Sequence, residues 1–578
     1  MPDNWTPVLY ETCISGINSS VTPELLPANQ LAWMMNGQVR EGKPVTRPPL
    51  TLQLVLPSGL VQGADFFSIQ DGMLVLQIAG NLWRIRVGNQ SFASEQINLG
   101  FPNSALIPQA YMCETDQSFL IQDGQSDAII YDGSSTRRSD VQNNEVPRGT
   151  LMAYGDGRLA VATGINTLTI GNIKKDAYQS ELQFTETLAA QGLGQGGGSF
   201  YFSQGMTALG FLPITGTADM GSLMVFSRNG AKAIRLDITD RSSWAQIPGF
   251  VSTVLRDTGA ISQWSLAQVN QDMYWRDGYG DIRSISSSVN TELSGGNTPL
   301  SREMARITDY ETVRLLDHSS AIYFDNRFLC TASPFLDLNH GVSFLDLISL
   351  DFAALANLQG ESPPAYDGSW TGLQFVKLVK GVFGGNERAF VISSDPDGQN
   401  RLWEINPSST AEIADRTTAC DTTPAYSPIS CYADYARTNF GLPQKRKRLE
   451  RCDVYLADID GQVDLTVSWR PDASAQWYQW DTATVCATTT DPSTATPHVF
   501  ELLTRQQRPQ VKTFTMPDNL DTTIGFSASV GFYFQVRIAW VGHARIDRVV
   551  LYGNPNMEDT PLAERDVVSA VCVAQNIA

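Results

Sequence analysis

The chain has 578 residues, with 60 acidic and 41 basic side chains, and its formal net charge at pH 7 is −19. At roughly 150 residues per domain this length predicts two to four domains, while 46 glycines, 29 prolines and a charged fraction of only 17% favour strands and turns over helical bundles. The acidic balance excludes a protein that coats nucleic acid over a broad basic face, but it is compatible with a conduit through which a duplex passes without binding.

The first fifty residues predict an extended N-terminal arm and not an independent core. Turn-forming residues are frequent at 18–23, the stretch 25–36 has the composition of a short helix, and Arg47 precedes two prolines that favour extended backbone. We expect the prolines to keep the arm (1–50) out of regular strand ladders. Its apolar side chains need burial, so the arm should pack against a neighbouring subunit or against the C-terminal domain. The candidate contact residues of the arm are Trp5, Leu25, Leu26, Trp33, Met34 and Arg47.

Neither a basic segment nor an apolar segment of a secretory signal is present at the N-terminus, and no run of 18 apolar residues predicts a membrane-spanning helix. The expected compartment of synthesis is therefore the cytoplasm.

Residues 51–420 repeat one pattern, in which short apolar strands alternate with turns that contain Asp, Asn or Gly. The first example has strands at 66–69, 73–78 and 82–87. Such meanders recur about seven times, at spacings of roughly 40–60 residues, which is the size of a propeller blade. The sequence therefore predicts a β-propeller of about seven divergent blades with an insertion near 173–205. A pair of β-sandwiches or a β-solenoid is the alternative.

Residues 421–578 predict a second type of β domain. Longer strands with alternating polarity occur at 463–469, 532–540 and 546–552. Alternation of this kind is typical of an antiparallel sheet with one buried face. The overall prediction is an all-β chain with an N-terminal arm, a propeller and a C-terminal β-sandwich or platform domain.

The motifs of common catalytic, cofactor and metal sites are missing or lack their context. The four histidines form no zinc-binding spacing, no Gly-x-Ser-x-Gly elbow follows a strand, and the Gly-rich stretch at 192–198 has no preceding strand. We therefore expect no enzymatic activity, no cofactor and no metal. Of the eight cysteines, only Cys420 and Cys431 are close enough in sequence to indicate a local disulfide, and that indication is weak.

One basic run stands out in this acidic chain. Two readings are open: a nucleic-acid patch, or a surface segment that meets an acidic neighbour. The second is favoured because no aromatic residues are interleaved to stack on bases, so we expect this run to lie at an interface and away from any lumen. The run consists of Lys445, Arg446, Lys447, Arg448 and Arg451.

Residues of the arm resemble the N-terminal pattern of a known family. The pattern resembles the N-terminus of tail nozzle (tail tubular protein B-like) proteins of short-tailed bacteriophages, which begin with Gly-hydrophobic-Ser-Gln-Gln-Pro and continue with a Gln, an Asn and a Gly ahead of Arg-Pro. Asn-Ser-Ser at 18–20 stands where the family usually has Ser-Gln-Gln, so the match is partial. The matching residues are Gly16, Pro23, Gln30, Asn36, Gly42, Arg47 and Pro48.

The resemblance implies a structural virion protein and no enzyme. Such a subunit would form a homo-oligomeric ring, expected to be a hexamer, below the portal and the tail adaptor. The ring would conduct double-stranded DNA during ejection and anchor tail fibre or spike proteins, and its location would be the virion tail after synthesis in the bacterial host cytoplasm. The alternative function is a carbohydrate-binding or glycan-hydrolysing propeller of a phage tail, for which the 12 tryptophans would supply sugar platforms.

Overall fold

The structure is a computed structural model, and its regular secondary structure is almost entirely β, which confirms the predicted fold class. The two α-helices of the described residues are α1 (Ile285–Leu293) and α2 (Ala305–Thr308). None of the described helices is long and apolar enough to cross a membrane. The described residues are 5–88, 91–173, 181–185, 196–212, 223–236, 240–293, 295–333, 344–352, 364–410, 412–420, 422–472, 474–486, 510–516 and 529–555. Short 3-10 helices lie at Val141–Asn143, Arg241–Ser243, Gln263–Ser265, Leu300–Met304 and Val313–His318.

The arm forms strands, which corrects two expectations. The segment expected to be a short helix contains a strand, because its apolar run is buried between two neighbouring strands. The prolines do not prevent pairing, since Pro7 lies in an edge strand, where a missing backbone N–H is tolerated. The first five strands are β1 (Thr6–Tyr10), β2 (Leu31–Met35), β3 (Gly37–Arg40), β4 (Lys43–Thr46) and β5 (Leu50–Val55).

The propeller strands follow in chain order as successive antiparallel meanders. Asp, Asn and Gly residues with positive φ occupy the tight turns, as at Asp71, Gly72 and Gly80. The strands of the first four sheets are β6 (Val61–Phe67), β7 (Met73–Ile78), β8 (Asn81–Val87), β9 (Phe92–Gln96), β10 (Tyr111–Glu114), β11 (Phe119–Gln122), β12 (Ile129–Tyr131), β13 (Thr136–Arg138), β14 (Met152–Gly155), β15 (Arg158–Ala162), β16 (Thr167–Ile170), β17 (Gly198–Tyr201), β18 (Met206–Phe211), β19 (Leu223–Ser227), β20 (Gly230–Ile234) and β21 (Val251–Leu255). The later ones are β22 (Ala267–Val269), β23 (Asp272–Arg276), β24 (Ile282–Ser284), β25 (Ala321–Phe324), β26 (Arg327–Ala332), β27 (Asp346–Asp351), β28 (Ala365–Trp370), β29 (Phe375–Phe383), β30 (Asn386–Ser394), β31 (Asn400–Ile405), β32 (Asp415–Arg416) and β33 (Tyr426–Ser427).

The first strands of successive sheets lie side by side around a central axis and close a ring, in which β29 contacts both β25 and β6. Six of the blades are independent sheets, whereas β25–β28 form one end of a larger, 14-stranded sheet. The chain thus has six independent blades, one fewer than the expected seven, and β25–β28 occupy the remaining position of the ring as part of the sheet shared with the C-terminal region. The ring is closed by β5, which pairs with β31 as the outer strand of the last blade.

The segment near 173–205, expected to be an insertion, in fact contains β17, the fourth strand of its blade. Residues 174–180 and 186–195, including most of the Gly-rich stretch, lie outside the described residues.

The C-terminal region is a single long-stranded sheet folded back on itself. The two central strands are antiparallel partners, and their ladder shifts register around Asp460. Positive φ angles at Asp458, Gly461 and Gly542 mark the bend. The predicted sandwich thus consists of two halves of one sheet. Its strands are β34 (Ser430–Tyr435), β35 (Lys447–Pro471), β36 (Tyr478–Cys486), β37 (Gln510–Thr515), β38 (Val530–Gly531) and β39 (Phe534–Asn554). We refer to β34–β39 as the platform.

The two halves of the platform enclose a common core with the arm. Tyr10 on β1 lies beside one half and Tyr435 on β34 beside the other, and their ring centroids are 5.2 Å apart. The hydroxyl of Tyr10 donates a 2.7 Å hydrogen bond to the carbonyl oxygen of Ala436. Alternate residues of β39 are fully buried, including Val536 and Ile538, which explains the alternation seen in the sequence.

Strand β2 joins the platform to the propeller. It pairs in parallel with β28, where Met35 faces Ser369, and antiparallel with β34, where Met35 faces Tyr432. A blade of the propeller therefore continues through the arm into the platform sheet.

Candidate interaction sites

Asn36 lies where arm, propeller and platform meet, and its backbone has a positive φ of 54°. Its side-chain amide donates to the hydroxyl of Thr371 (3.2 Å) and to the carbonyl oxygen of Ser430 (3.0 Å). Its side-chain oxygen accepts hydrogen bonds from the backbone N–H of Thr371 (2.7 Å) and from Arg47 (3.2 Å). One short side chain therefore satisfies groups of all three parts. We refer to Asn36, Arg47 and their partners as the junction.

Arg47 completes the junction through a buried ion pair. Its guanidinium, 2% exposed, donates two parallel hydrogen bonds of 3.0 and 2.8 Å to the carboxylate of Asp415. The same carboxylate accepts a 2.7 Å bond from the backbone N–H of Leu50, the first residue of the closing strand β5. Planar two-bond pairing of this kind requires arginine and not lysine.

Two glycines of the arm pattern occupy positions that only glycine fits. Gly16 has φ +64°, and a Cβ there would lie 2.8 Å from the carbonyl oxygen of Tyr366 in the propeller. Gly42 has φ +74°, and a Cβ there would lie 2.6 Å from the hydroxyl of Thr12. Both positions combine a left-handed backbone with close packing, which other residues tolerate poorly.

The apolar arm residues were expected to contact either a neighbouring subunit or the C-terminal domain, and within this chain they contact the platform. Leu26, Trp33 and Met34 are all less than 8% exposed and belong to the core shared with the platform. Trp5 is half-buried, with its ring centroid 6.3 Å from that of Tyr552. Leu25, at 75% exposed, is the exception. Leu26, Trp33 and Met34 are therefore occupied within the chain, whereas Trp5 is occupied only in part.

The basic segment is also largely satisfied within the chain. Lys447 is fully buried and its ammonium donates to the carbonyl oxygens of Leu442 and Lys445 (2.6 Å to the latter), while burial lowers its pKa. Arg451 donates bonds of 2.7 and 2.6 Å to the carboxylate of Asp453. The expected acidic neighbour is here an acidic residue of the same strand.

The remaining members of the segment differ in exposure. Arg446 lies over the ring of Phe532 at 5.6 Å from its centroid, and Arg448 lies 4.0 Å from Glu450. Lys445 is exposed. These placements leave Lys445 as the member whose side chain is most accessible to a partner.

A different positive surface lies on the outer face of the platform. Arg537 lies between two aromatic rings, 4.2 Å from the centroid of Tyr432 and 4.4 Å from that of Trp477. Arg470 covers Trp477 at 4.5 Å, and Arg306 covers Trp33 at 4.8 Å. We name this set the arginine ridge. It comprises Arg306, Arg437, Arg470 and Arg537 with Trp33, Tyr432 and Trp477.

The ridge holds more positive than negative charge. Asp434 accepts bonds of 2.5 and 2.8 Å from Arg537, and Glu24 pairs with Arg437. Among the described residues, the hydrogen-bond acceptor that Arg470 meets is the side-chain amide oxygen of Gln535, at 2.9 and 2.6 Å, and no carboxylate pairs with it there. Burial, and then the neighbouring Arg437, lower the pKa of Arg470. An additional carboxylate or phosphate at Arg470 would therefore be favourable.

A central cavity of ≈ 640 Å³ lies on the axis of the propeller. Strands from several blades line it, so its residues are far apart in sequence. Its polar and aromatic lining residues include Asp65, Gln268, Trp264, Tyr323, Lys377 and Lys380.

Lys377 is the unusual member of this lining, because it is only 8% exposed. Its ammonium lies 4.7 Å from the centroid of the Trp264 ring. Burial lowers the pKa of Lys377 to about 8, and the charge of Asp65 opposes that shift. Burial raises the pKa of Asp65, while Lys377 acts in the opposite direction.

Sequence reasoning missed both the ridge and the cavity. Arg470, Trp477 and Arg537 had a local signal, since cationic and aromatic residues alternate with apolar ones on neighbouring strands. The cavity had none, because Asp65, Trp264 and Lys377 meet only when the ring closes.

Free thiols occupy both positions of the suggested disulfide. Cys431 donates to the carbonyl oxygen of Asn36 at 3.0 Å, and Cys420 to that of Gln53 at 3.3 Å. Within the described ranges, no group of three or more His, Cys, Asp or Glu side chains is arranged to hold a metal ion.

Comparison with known proteins gives structural similarity only. Neither the protein-family models nor the curated proteins contain a match. Among solved structures, the chain is similar to YCF48 bound to D1 peptide (11% identity, TM-score 0.35, covering 64% of this chain and 98% of the other). It is similar to BBS1N in complex with ARL6DN (10% identity, TM-score 0.36, covering 63% of this chain and 99% of the other). It is also similar to the computationally designed Ika8 protein (11% identity, TM-score 0.31, covering 62% of this chain and 100% of the other). Similarity at this level carries no argument about function.

Proposed function

We propose that the chain is a structural subunit of the tail nozzle ring of a short-tailed bacteriophage, which conducts DNA and holds other tail proteins. The observation that carries the proposal is the coincidence of the arm pattern with the junction. Asn36 and Arg47, two of the residues on which the resemblance rests, are the side chains that link arm, propeller and platform. Gly16 and Gly42 of the same pattern permit the arm to pack closely.

Such a junction suits a ring that bears load. A buried, two-bond ion pair and a multiply bonded amide fix the propeller relative to the platform, so that the subunit acts as one body. A tail component must transmit contacts from the capsid side to the host side without yielding. This role requires no catalytic group, no cofactor and no metal.

The arginine ridge is the surface that we assign to the contact between subunits. A chain with a net charge of −19 presents carboxylates over much of its surface, and a neighbouring copy would bring some of them to Arg470. A head-to-tail contact of this kind, repeated around an axis, closes a ring. The bases of nucleic acid are a poorer match, because the ring of Trp477 already contacts the guanidinium groups of Arg470 and Arg537.

The same geometry disfavours the carbohydrate alternative at this surface. Stacking of a sugar requires an open aromatic face, and the Trp477 ring is already in contact with two guanidinium groups. A glycan array and a turnover assay on capsular polysaccharide test that alternative, and binding or cleavage there would favour it over the nozzle.

Cryo-electron microscopy of virions and mass photometry of the purified chain test the proposal. We expect closed rings in both and a ring of this chain on the tail axis. A protein that remains monomeric at all accessible concentrations, and that is missing from purified virions, would overturn it.

A further inference from the structure

Two charged groups face the central cavity without a partner of opposite charge in contact. Neither Lys377 nor Asp65 forms an ion pair with any residue in the described part of the chain. The ammonium of Lys377 has only the ring of Trp264 against it. The carboxylate of Asp65 accepts one bond, 2.8 Å long, from the backbone N–H of its neighbour Phe66.

Leaving the charge of Lys377 unpaired is energetically costly, whereas the side chain of Asp65 is exposed. Lys377 is more than nine-tenths buried, and an ammonium taken out of water without an acceptor is strongly disfavoured. Buried polar groups that lack partners are uncommon in proteins, and perturbed groups inside a concave site are frequent at binding sites. A methionine at 377 would fill the space without that cost.

The two charges are electrostatically coupled, although they are too far apart for an ion pair. They come from adjacent first strands of the ring, Asp65 on β6 and Lys377 on β29. An anion alone would meet Lys377 but would be repelled by Asp65. A cation alone would meet Asp65 but would be repelled by Lys377.

The other lysine of the cavity provides a contrast. Lys380 is paired with Glu387 at 3.1 Å and covers the ring of Tyr323 at 5.4 Å. Its charge is balanced within the chain and needs no ligand. The unpaired charges are therefore confined to one part of the cavity.

We propose that the central cavity of the propeller binds a small zwitterion, with its carboxylate on Lys377 and its ammonium on Asp65. Free amino acids and short peptides have this chemistry. The volume of ≈ 640 Å³ lies within the roughly 300–1,000 Å³ of small-molecule sites. The proposal does not rest on the proposed function.

Ligand-observed NMR and calorimetry on the full chain test the site, with glycine and triglycine as zwitterions and with acetate and methylammonium as single charges. We expect a zwitterion to bind at millimolar concentrations or better, and each single charge to bind at least about tenfold more weakly. The two zwitterions distinguish a free amino acid from a peptide, because triglycine separates its charges by a longer chain.

Three variants make the test specific. Lys377→Met and Asp65→Asn should each weaken zwitterion binding by about tenfold or more, whereas Lys380→Met, in the same cavity, should not. Near-ultraviolet circular dichroism verifies that each variant is folded, and Asp65→Asn keeps the shape of the side chain. Equal binding of acetate and glycine, or the lack of binding of every probe to the wild type, would overturn the proposal.

Discussion

Arg47 shows how much one side chain contributes to the architecture. The guanidinium is almost fully buried and its charge is balanced by Asp415, which also accepts the N–H of Leu50. Breaking a buried pair by removing one partner costs about 3–5 kcal/mol, because the other charge is left without compensation. Arg47 therefore stabilises the fold by keeping the charge of Asp415 paired.

Replacing Arg47 with Met should lower the thermal unfolding midpoint and expose the arm to proteolysis. The unfolding midpoint of Arg47→Lys should lie between those of this variant and the wild type, because lysine keeps the charge but not the two parallel hydrogen bonds. Differential scanning calorimetry and limited trypsin digestion measure both effects. Lys445→Met is the matched control, since Lys445 is exposed. Equal melting of Arg47→Met and wild type would contradict this role.

Lys377 gives a pH-dependent prediction. Burial lowers the pKa of its side chain to about 8 in the folded chain, from an ordinary value of 10.5. Between these values the unfolded chain binds more protons, so the free energy of unfolding rises with pH, by on the order of 3 kcal/mol in total. Below pH 8 the wild type bears the full cost of the buried charge.

Lys377→Met should therefore be more stable than the wild type at pH 7.5, and this advantage should shrink as the pH rises from 8 to 10.5. Thermal midpoints of both proteins across this range measure the difference. Lys380→Met serves as a control, because Lys380 keeps a carboxylate partner. An advantage that is independent of pH would show that only packing had changed.

At the scale of elements, β2 and β5 are short strands that connect large parts of the fold. Strand β2 stands between β28 and β34, and β5 completes the last blade beside β31. Platform and propeller are therefore both stabilised by strands from the beginning of the chain.

Deleting residues 1–46 removes β1–β4 but keeps β5. We expect the propeller to stay closed and the platform to lose its protection, because Trp33 and Met34 leave its core and β34 loses a neighbour. Hydrogen exchange with mass spectrometry should show fast exchange in β34 and β39 and slow exchange in β29–β31. Retained protection across β34 and β39 would contradict the contribution of β2.

The sequence predicted the local features of the fold and missed those that depend on distant contacts. Turns such as Asp71-Gly72 are indicated by two or three neighbouring residues, so the meanders could be predicted from the sequence. Strand β2 was misread as a helix because a short apolar run fits either state, and its neighbours β28 and β34 lie hundreds of residues away. The bend of β35 and the cavity around Lys377 arise only from tertiary pairing.

At the scale of the whole molecule, assembly should depend on ionic strength. If the arginine ridge meets carboxylates of a second copy, added salt screens that contact. Arg470→Gln should reduce the fraction of the protein that is assembled into rings at physiological salt. The rings of this variant should also dissociate at a lower salt concentration than those of the wild type. Arg228→Gln, at an exposed pair with Asp317, should leave assembly unchanged. Mass photometry across a salt series measures both, and identical curves for Arg470→Gln and wild type would exclude the ridge as the ring contact.

The pairing of early strands with late ones also sets the order in which the chain can fold during synthesis. The Thr46 hydroxyl accepts a 2.9 Å bond from the Trp540 indole, across 494 positions, and Asn406 reaches Thr51 across 355. At about 5–20 residues per second, the ribosome needs on the order of tens of seconds to supply these partners. For that time, the arm and β5 remain unpaired and apolar. We therefore expect the nascent chain to be prone to aggregation until its last strands emerge.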